Sequence, residues 1–441
     1  MYNRPVQMTT LANGVRVATD HFTGPLSTVL VMIEAGSRNE NFKNTGTAHF
    51  CEHLNFKGTT KRTRIQLESE IENIGGNLNA YTSRETTLYQ MQVYKGLEER
   101  GIEIISDMLL NSLHEKEAVE NERAVILAEE EEVMGDSKEL ILENVHYTAY
   151  KNHIMMLPIL GNKDSINTIQ RDDLKQFIYT HYLGPRTVVV GAGPVEHSQI
   201  VEIAEKYFGQ LPVKTDIEIV GEDQPKFFGS QHQQKKENED MAHMGLFYPA
   251  PSWKHKDYFA FLILQRLIGE FDPKKEGSHT LRLGNHNPLH SYFGDTKDAG
   301  KHECIYLPYK DCGLLGSFIS TKNVNSDVPP MLSLLNMHRL AEHITDAELM
   351  RAKNKIYTEL LNTESTEEVS QTLASQLIYM GRVVPRSEIA ARVASIDAQT
   401  LSSILASWIK SNDLAMAYYG PLEMADRSYE VINNCSKLRL D

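Results

Sequence analysis

Residues 27–33 and 86–94 are dense in β-branched and aromatic side chains, which predicts strands. In segments 45–56, 64–74 and 97–113 apolar residues recur at spacings of three and four, the period of an amphipathic helix. Asn13-Gly14 stands between the strand-like stretches 9–12 and 15–19 and predicts a β-hairpin. Gly75-Gly76 leads into a further expected strand over 77–83. The mixture predicts an α+β fold, with helices packed on one side of a largely antiparallel sheet.

The pattern repeats. Ser165-Ile166-Asn167 opens a helical segment that leads to a strand at 187–190 and then to Gly193-Pro194-Val195-Glu196. Ser395-Ile396-Asp397 opens another that leads to 414–419 and then to Gly420-Pro421-Leu422-Glu423. The two serines stand 230 residues apart and the two Gly-Pro pairs 227 apart, which predicts two homologous domains, each a largely antiparallel sheet covered by helices. Pro212, Gly221, Pro225 and Gly229 punctuate a polar stretch between them. We therefore expect domains over 1–212 and 241–441 joined by a linker over 213–240. Gly191 and Gly193 lack the third glycine of a dinucleotide fingerprint, because Glu196 occupies its place.

A chain of 441 residues with 41% hydrophobic and 24% charged residues has the composition of a globular protein of more than one domain. Its most apolar stretch, 259–268, is short and carries Gln265 and Arg266, so no direct membrane span is expected. Cys51, Cys304, Cys312 and Cys435 form no CxxC pair, which fits a reducing compartment. A net charge of −14 argues against a nucleic-acid partner and is compatible with cationic ones. The first residues read as a hairpin and not as a signal or transit peptide; the expectation is a targeting segment already removed, or none.

His49, Glu52 and His53 spell H-x-x-E-H. On a helix these three side chains share a face, so two imidazoles can take two corners of a zinc tetrahedron while the carboxylate reaches a water. A catalytic zinc usually has a third protein ligand. Val119, Glu122, Ile126, Glu129 and Val133 recur at helical spacing, which sets Glu122 and Glu129 on an otherwise apolar stripe, where a carboxylate needs a partner. Glu130, Glu131 and Glu132 are expected to face solvent.

Several runs together resemble the pitrilysin/insulysin superfamily of metallopeptidases: the motif, then Asn55-Phe56-Lys57-Gly58-Thr59, Asn79-Ala80-Tyr81-Thr82-Ser83-Arg84-Glu85, Glu122-Arg123-x-Val125-Ile126-Leu127-x-Glu129, and Thr180-His181-Tyr182-Leu183-Gly184-Pro185-Arg186. The likeness is strongest to the β-type subunits of the mitochondrial processing-peptidase branch, and it extends over essentially the whole chain. It implies a half-clamshell of two domains with one Zn²⁺ held by His49, His53 and Glu129. Glu52 would be the general base and Glu122 a group that orients a ligand. It further implies that Asn79, Ala80, Tyr81 and Thr82 pair with an extended substrate, and that Phe56 contacts the residue after the cleaved bond. Glu139 and Glu143, one turn apart, would receive an upstream arginine of an Arg-rich presequence. The activity implied is presequence removal in the mitochondrial matrix, or at the matrix face of the inner membrane, beside an α-type processing peptidase or core subunit. Because relatives include core subunits of respiratory complex III, the chain is also expected either to work among other subunits of that complex or to serve there as a scaffold.

Cys51 stands where the family usually has leucine, and it is expected to pack on the far side of the motif helix. The second half carries no H-x-x-E-H, so only the first domain can hold zinc. His286 and His290 are four apart, but Pro288 between them argues against a helical pair, and both are expected in a loop. A peptide-binding protein without cleavage is the remaining reading, and it requires the zinc site to be empty.

Overall fold

In the computed structural model, Asn13-Gly14 lies in the turn between β1 (Val6–Thr10) and β2 (Arg16–His21), with Thr10 opposite Arg16. Gly14 has φ 92°, and a Cβ there would come within 2.8 Å of the Pro185 ring, so the turn requires glycine. The structure describes residues 5–274, 286–296, 300–322, 328–361, 365–421 and 429–437. Contacts divide the chain into two units that interleave along the sequence: 1–132, 157–223 and 363–385 in the first, 133–156, 224–362 and 386–441 in the second.

The expected strands of the first unit appear as β3 (Leu26–Ile33), β4 (Asn77–Thr82), β5 (Thr87–Tyr94) and β6 (Thr187–Gly193). They complete a six-stranded sheet of order β1-β2-β6-β3-β5-β4, antiparallel except for the parallel pair β2–β6. The expected helices appear as α1 (Thr47–Asn55), α2 (Arg64–Asn73) and α3 (Glu98–Asn111), followed by α4 (Lys116–Val133). On one face of the sheet Val29, Val31, Tyr89, Met91 and Val189 pack with Phe50, Leu54, Ile105 and Ile126 from these helices. Burying each such side chain contributes roughly 1.5–3 kcal/mol.

The opposite face is covered too, which differs from the one-sided packing expected. Leu30, Met32, Val188 and Val190 lie under Val369, Leu373, Leu377 and Ile378 of the helix Thr366–Met380. The runs Val29 to Ile33 and Val188 to Val190 carry the signal, since a strand buried on both faces reads as continuously apolar instead of alternating.

The second unit holds β7 (Ser230–Lys235), β8 (Ala242–Pro249), β9 (Glu270–Phe271), β10 (Lys301–Pro308), β11 (Gly313–Thr321) and β12 (Ala415–Gly420) in the order β7-β12-β8-β11-β10-β9. β7-β12-β8-β11-β10 repeats β2-β6-β3-β5-β4 in both order and direction, including its single parallel pair, so the internal echo in the sequence is a repeated fold. Its sheet is covered by α5 (Ser137–Ala149), whose Leu140, Ile141 and Val145 pack on Phe247, Leu314 and Ala417. α5 and the helix Thr366–Met380 begin 229 residues apart, close to the repeat length, yet each packs on the sheet of the other half of the chain. A linear partition at 213–240 does not express that exchange.

His290 is not in a loop. Pro288 begins the helix Pro288–Thr296, a position where its missing N–H costs nothing, and His290 in its first turn is buried. The His290 and His302 rings are hydrogen-bonded at 2.7 Å, and His302 bonds Ser317 at 2.9 Å. His286 is exposed outside that helix. Leu422 and Glu423 of the repeated Gly-Pro run lie outside the described residues. No helix among the described residues is long and apolar enough to cross a membrane.

Candidate metal centre

α1 is a short helix with two distinct sides. Phe50, Cys51 and Leu54 turn into the core, with the Cys51 thiol 3.7 Å from the Leu174 carbonyl. His49, Glu52 and His53 occupy the other side. Its N-cap is Gly46, which has no side chain to cap with. The buried carboxylate of Glu40 substitutes, accepting the N–H groups of Gly46 at 2.8 Å and Ala48 at 2.7 Å. Burial pushes the Glu40 carboxyl up to about 8, and the two backbone donors pull against that shift. The two carboxyl oxygens satisfy donors at the start of the helix that would otherwise be orphaned.

α4 brings the third donor. Val119 and Ile126 are buried as the stripe requires, and the Arg123 guanidinium ties the helix to the carbonyls of Ile166 and Ile169. His49, His53 and Glu129 each offer one ligand atom, and the three atoms lie within 4.8 Å of one another. Glu129 Oε2 is 3.1 Å from His53 Nε2, and Oε1 is 3.7 Å from His49 Nε2. The buried Glu122 accepts from His53 Nδ1 at 2.8 Å and from Lys57 Nζ at 2.7 Å. That bond fixes the ring so that Nε2 faces Glu129 and His49.

Glu122 and Glu129 flank the His53 ring, one on each of its nitrogens. Burial, and then the neighbouring His53, push His49 down to about 4, which leaves it a neutral imidazole with a lone pair to give. Burial also opposes charge on His53, but hydrogen bonds to Glu122 and Glu129 outweigh it and hold that ring up to about 9. Those same bonds keep both glutamates below the usual carboxylate range. Two imidazoles and a carboxylate converging from two helices, with negative charge concentrated around them, fit a divalent metal of the kind that accepts nitrogen and oxygen donors.

Glu52 is half-buried beside this cluster. Burial raises its pKa, and a hydrogen bond from the Thr82 hydroxyl lowers it. Phe56 caps α1, half-buried, its ring 6.3 Å from that of Tyr89. β4 is an edge strand that pairs only with β5 among the described residues. Asn79 and Tyr81 are exposed on it, Ala80 is half-buried and Thr82 is buried. Tyr81 leaves 59% of its surface to solvent.

The other expected site residues belong to a separate helix. Glu139 and Glu143 lie on α5, which Asp136 caps after a break that follows Val133. They belong to the second unit and not to a continuation of the helix that carries Glu129. Glu139 is exposed and Glu143 half-buried. Glu131 and Glu132 are exposed as expected, whereas Glu130 is half-buried. Sequence reasoning missed Glu40, for which no periodicity gives a signal. It also missed Lys57, although its position four residues after His53 was a signal at helical spacing.

With this geometry in place, comparison with known proteins defines the class. The chain matches the insulinase family, peptidase family M16, over residues 16–163 and the M16 inactive domain over 168–356. It belongs to this family of metallopeptidases. It is 36% identical to the probable mitochondrial-processing peptidase subunit beta of Schizosaccharomyces pombe, over 95% of this chain and 92% of that one. The mitochondrial-processing peptidase subunit beta of Mus musculus is 34% identical over 98% and 88% of the two chains. In fold it superimposes on a chain of complex III2 from Candida albicans, with a TM-score of 0.84, 19% identity and coverage of 98% and 99%.

Proposed function

We propose that this chain is the catalytic, β-type subunit of a mitochondrial processing peptidase, and that the metal is zinc. The observation that carries the reading is the convergence of His49, His53 and Glu129 within 4.8 Å beside the H-x-x-E-H base, in a chain that aligns over 95% or more of its length with processing-peptidase β subunits. His49, His53 and Glu129 would hold the ion, and Glu122 orients His53 through Nδ1. Bound zinc supplies Lewis acidity toward the scissile carbonyl and makes water a stronger acid. Glu52 takes the proton of the attacking water and passes it to the leaving amine.

Substrate reaches this site as an added strand. The open edge of β4 offers main-chain donors and acceptors to an extended peptide, and Asn79, Ala80 and Tyr81 lie along it. Phe56 contacts the residue after the cleaved bond, and Glu139 with Glu143 receives an upstream arginine. Such substrates are the Arg-rich, acid-poor presequences of imported proteins, which places the chain in the matrix or on the matrix face of the inner membrane. Its partner is an α-type subunit.

The test uses affinity-tagged chain purified with its associated subunits. It should cleave a synthetic Arg-containing presequence peptide, lose that activity on chelation and regain it with stoichiometric zinc. Failure of every divalent ion to restore cleavage would refute the metallopeptidase reading. Co-purification with the other subunits of complex III would assign the activity to that assembly, whereas a two-subunit soluble complex would assign it to a free peptidase. Reversing both charges with Glu139→Lys and Glu143→Lys should raise KM for a peptide with a proximal arginine about tenfold, while a peptide lacking that arginine is cleaved as before. Equal effects on the two peptides would remove these glutamates from the arginine pocket.

A further inference from the structure

The segment from Gly36 to Glu40 touches both of the elements that meet at Glu52. On one side, Ser37 and Arg38 donate backbone N–H groups to the carbonyls of Ser83 and Arg84, at 3.2 and 2.7 Å. Gly36 lies so close to this turn that a Cβ would stand 2.4 Å from the Ser83 carbonyl oxygen. The Arg38 guanidinium forms an ion pair with Glu85 at 2.8 Å, with side-chain exposures of 1% and 3%. The turn itself is closed by bonds from Ser83 N–H to the Thr86 carbonyl and from the N–H groups of Glu85 and Thr86 to Ser83 Oγ. On the other side, Glu40 caps α1 through Gly46 and Ala48. One short segment therefore sets the end of β4 against the helix that carries the base.

Thr82 is the last residue of β4, paired with Thr87 of β5, and it is buried while Asn79 and Tyr81 are exposed. Its hydroxyl donates to Glu52 Oε2. Among the described residues this is the only side-chain hydrogen bond the structure gives the Glu52 carboxylate. A glutamate with three rotatable side-chain bonds, held at one oxygen, presents the other in a defined direction. An unheld one samples several rotamers.

We propose that Thr82 is a positioning residue for Glu52, and that its hydroxyl orients the base instead of contacting the substrate. The inference rests on the assignment of Glu52 as the base and deepens it. A general base acts only from a near-attack geometry, so loss of the restraint lowers turnover without weakening peptide binding, which is carried by the exposed edge of β4.

The test compares Thr82→Val, which keeps the β-branched shape, with Thr82→Ser, which restores the hydroxyl, in the complex purified with its associated subunits. Valine should lower kcat about ten- to a hundredfold, the range for removing a hydrogen bond to a charged group, with KM and metal content unchanged. Serine should return kcat to within about threefold of wild type. Binding of a fluorescent presequence peptide to the chelated, inactive complex should be the same for wild type and both variants. If the valine variant cleaves at the wild-type rate while Glu52→Gln is inactive, Thr82 has no role in positioning and the base assignment stands. If Glu52→Gln is fully active, the base assignment itself fails. If valine weakens peptide binding to the metal-free complex several-fold, Thr82 is a substrate contact and the proposal is overturned.

Discussion

Glu52→Gln should abolish peptide cleavage while the protein keeps its fold and its metal. The amide has nearly the shape of the carboxylate and can still accept the Thr82 hydroxyl through its oxygen, so the hydrogen bond that holds the side chain survives. Phe50, Cys51 and Leu54, which fasten α1 to the core, are untouched, as are the three donor atoms that converge on the opposite side. What is lost is the ability to take a proton, worth about 10²- to 10⁴-fold in rate for a positioned general base. Turnover of the presequence peptide, measured with metal content by atomic absorption and melting temperature on the same sample, checks this. An inactive variant without metal would point instead to a structural role for Glu52. A variant with full metal and full turnover would remove it from the mechanism.

His53→Ala should abolish both metal binding and turnover. His53 is the centre of the cluster, with Nδ1 on Glu122 and Nε2 on Glu129, so its removal takes away one ligand and the link between the two helices. The fold should survive, because the buried Glu122 keeps its 2.7 Å ion pair with Lys57. The expected cost is about 1–3 kcal/mol, the scale for a buried acceptor losing one of its partners. Metal analysis and a denaturant titration decide the matter. Loss of metal with a cooperative, modestly shifted transition is the expected outcome. Retention of stoichiometric metal would show that His53 is not a ligand, and global unfolding would show that the imidazole is a packing residue.

How far the sequence carried differs from one element to the next. α1 was legible from its spacing of three and four, β3 and β5 from their density of β-branched and aromatic side chains, and the repeat of about 230 residues foretold a repeated sheet topology. The exchange of α5 and the helix Thr366–Met380 was not legible. A helix's apolar stripe says that it must be covered, but not by which sheet, and two homologous sheets offer similar surfaces. Asp136 caps α5 as a helix separate from α4, so Glu139 and Glu143 share a helix with each other and not with Glu129.

Within the site, the H-x-x-E-H spacing alone determined that two imidazoles and a carboxylate share one helical face, since 3.6 residues per turn leaves no other arrangement. The stripe on α4 determined that Glu122 and Glu129 share one face of that helix. Only the tertiary structure decided how these two glutamates divide. Glu129 reaches both rings, whereas Glu122 bonds the far nitrogen of His53 and neutralises Lys57. The Glu40 cap and the Thr82 bond to Glu52 likewise join residues that no local period relates. A helical face follows from the backbone repeat, but the partner of a buried polar group is chosen by whichever distant segment the packed chain brings within hydrogen-bond reach.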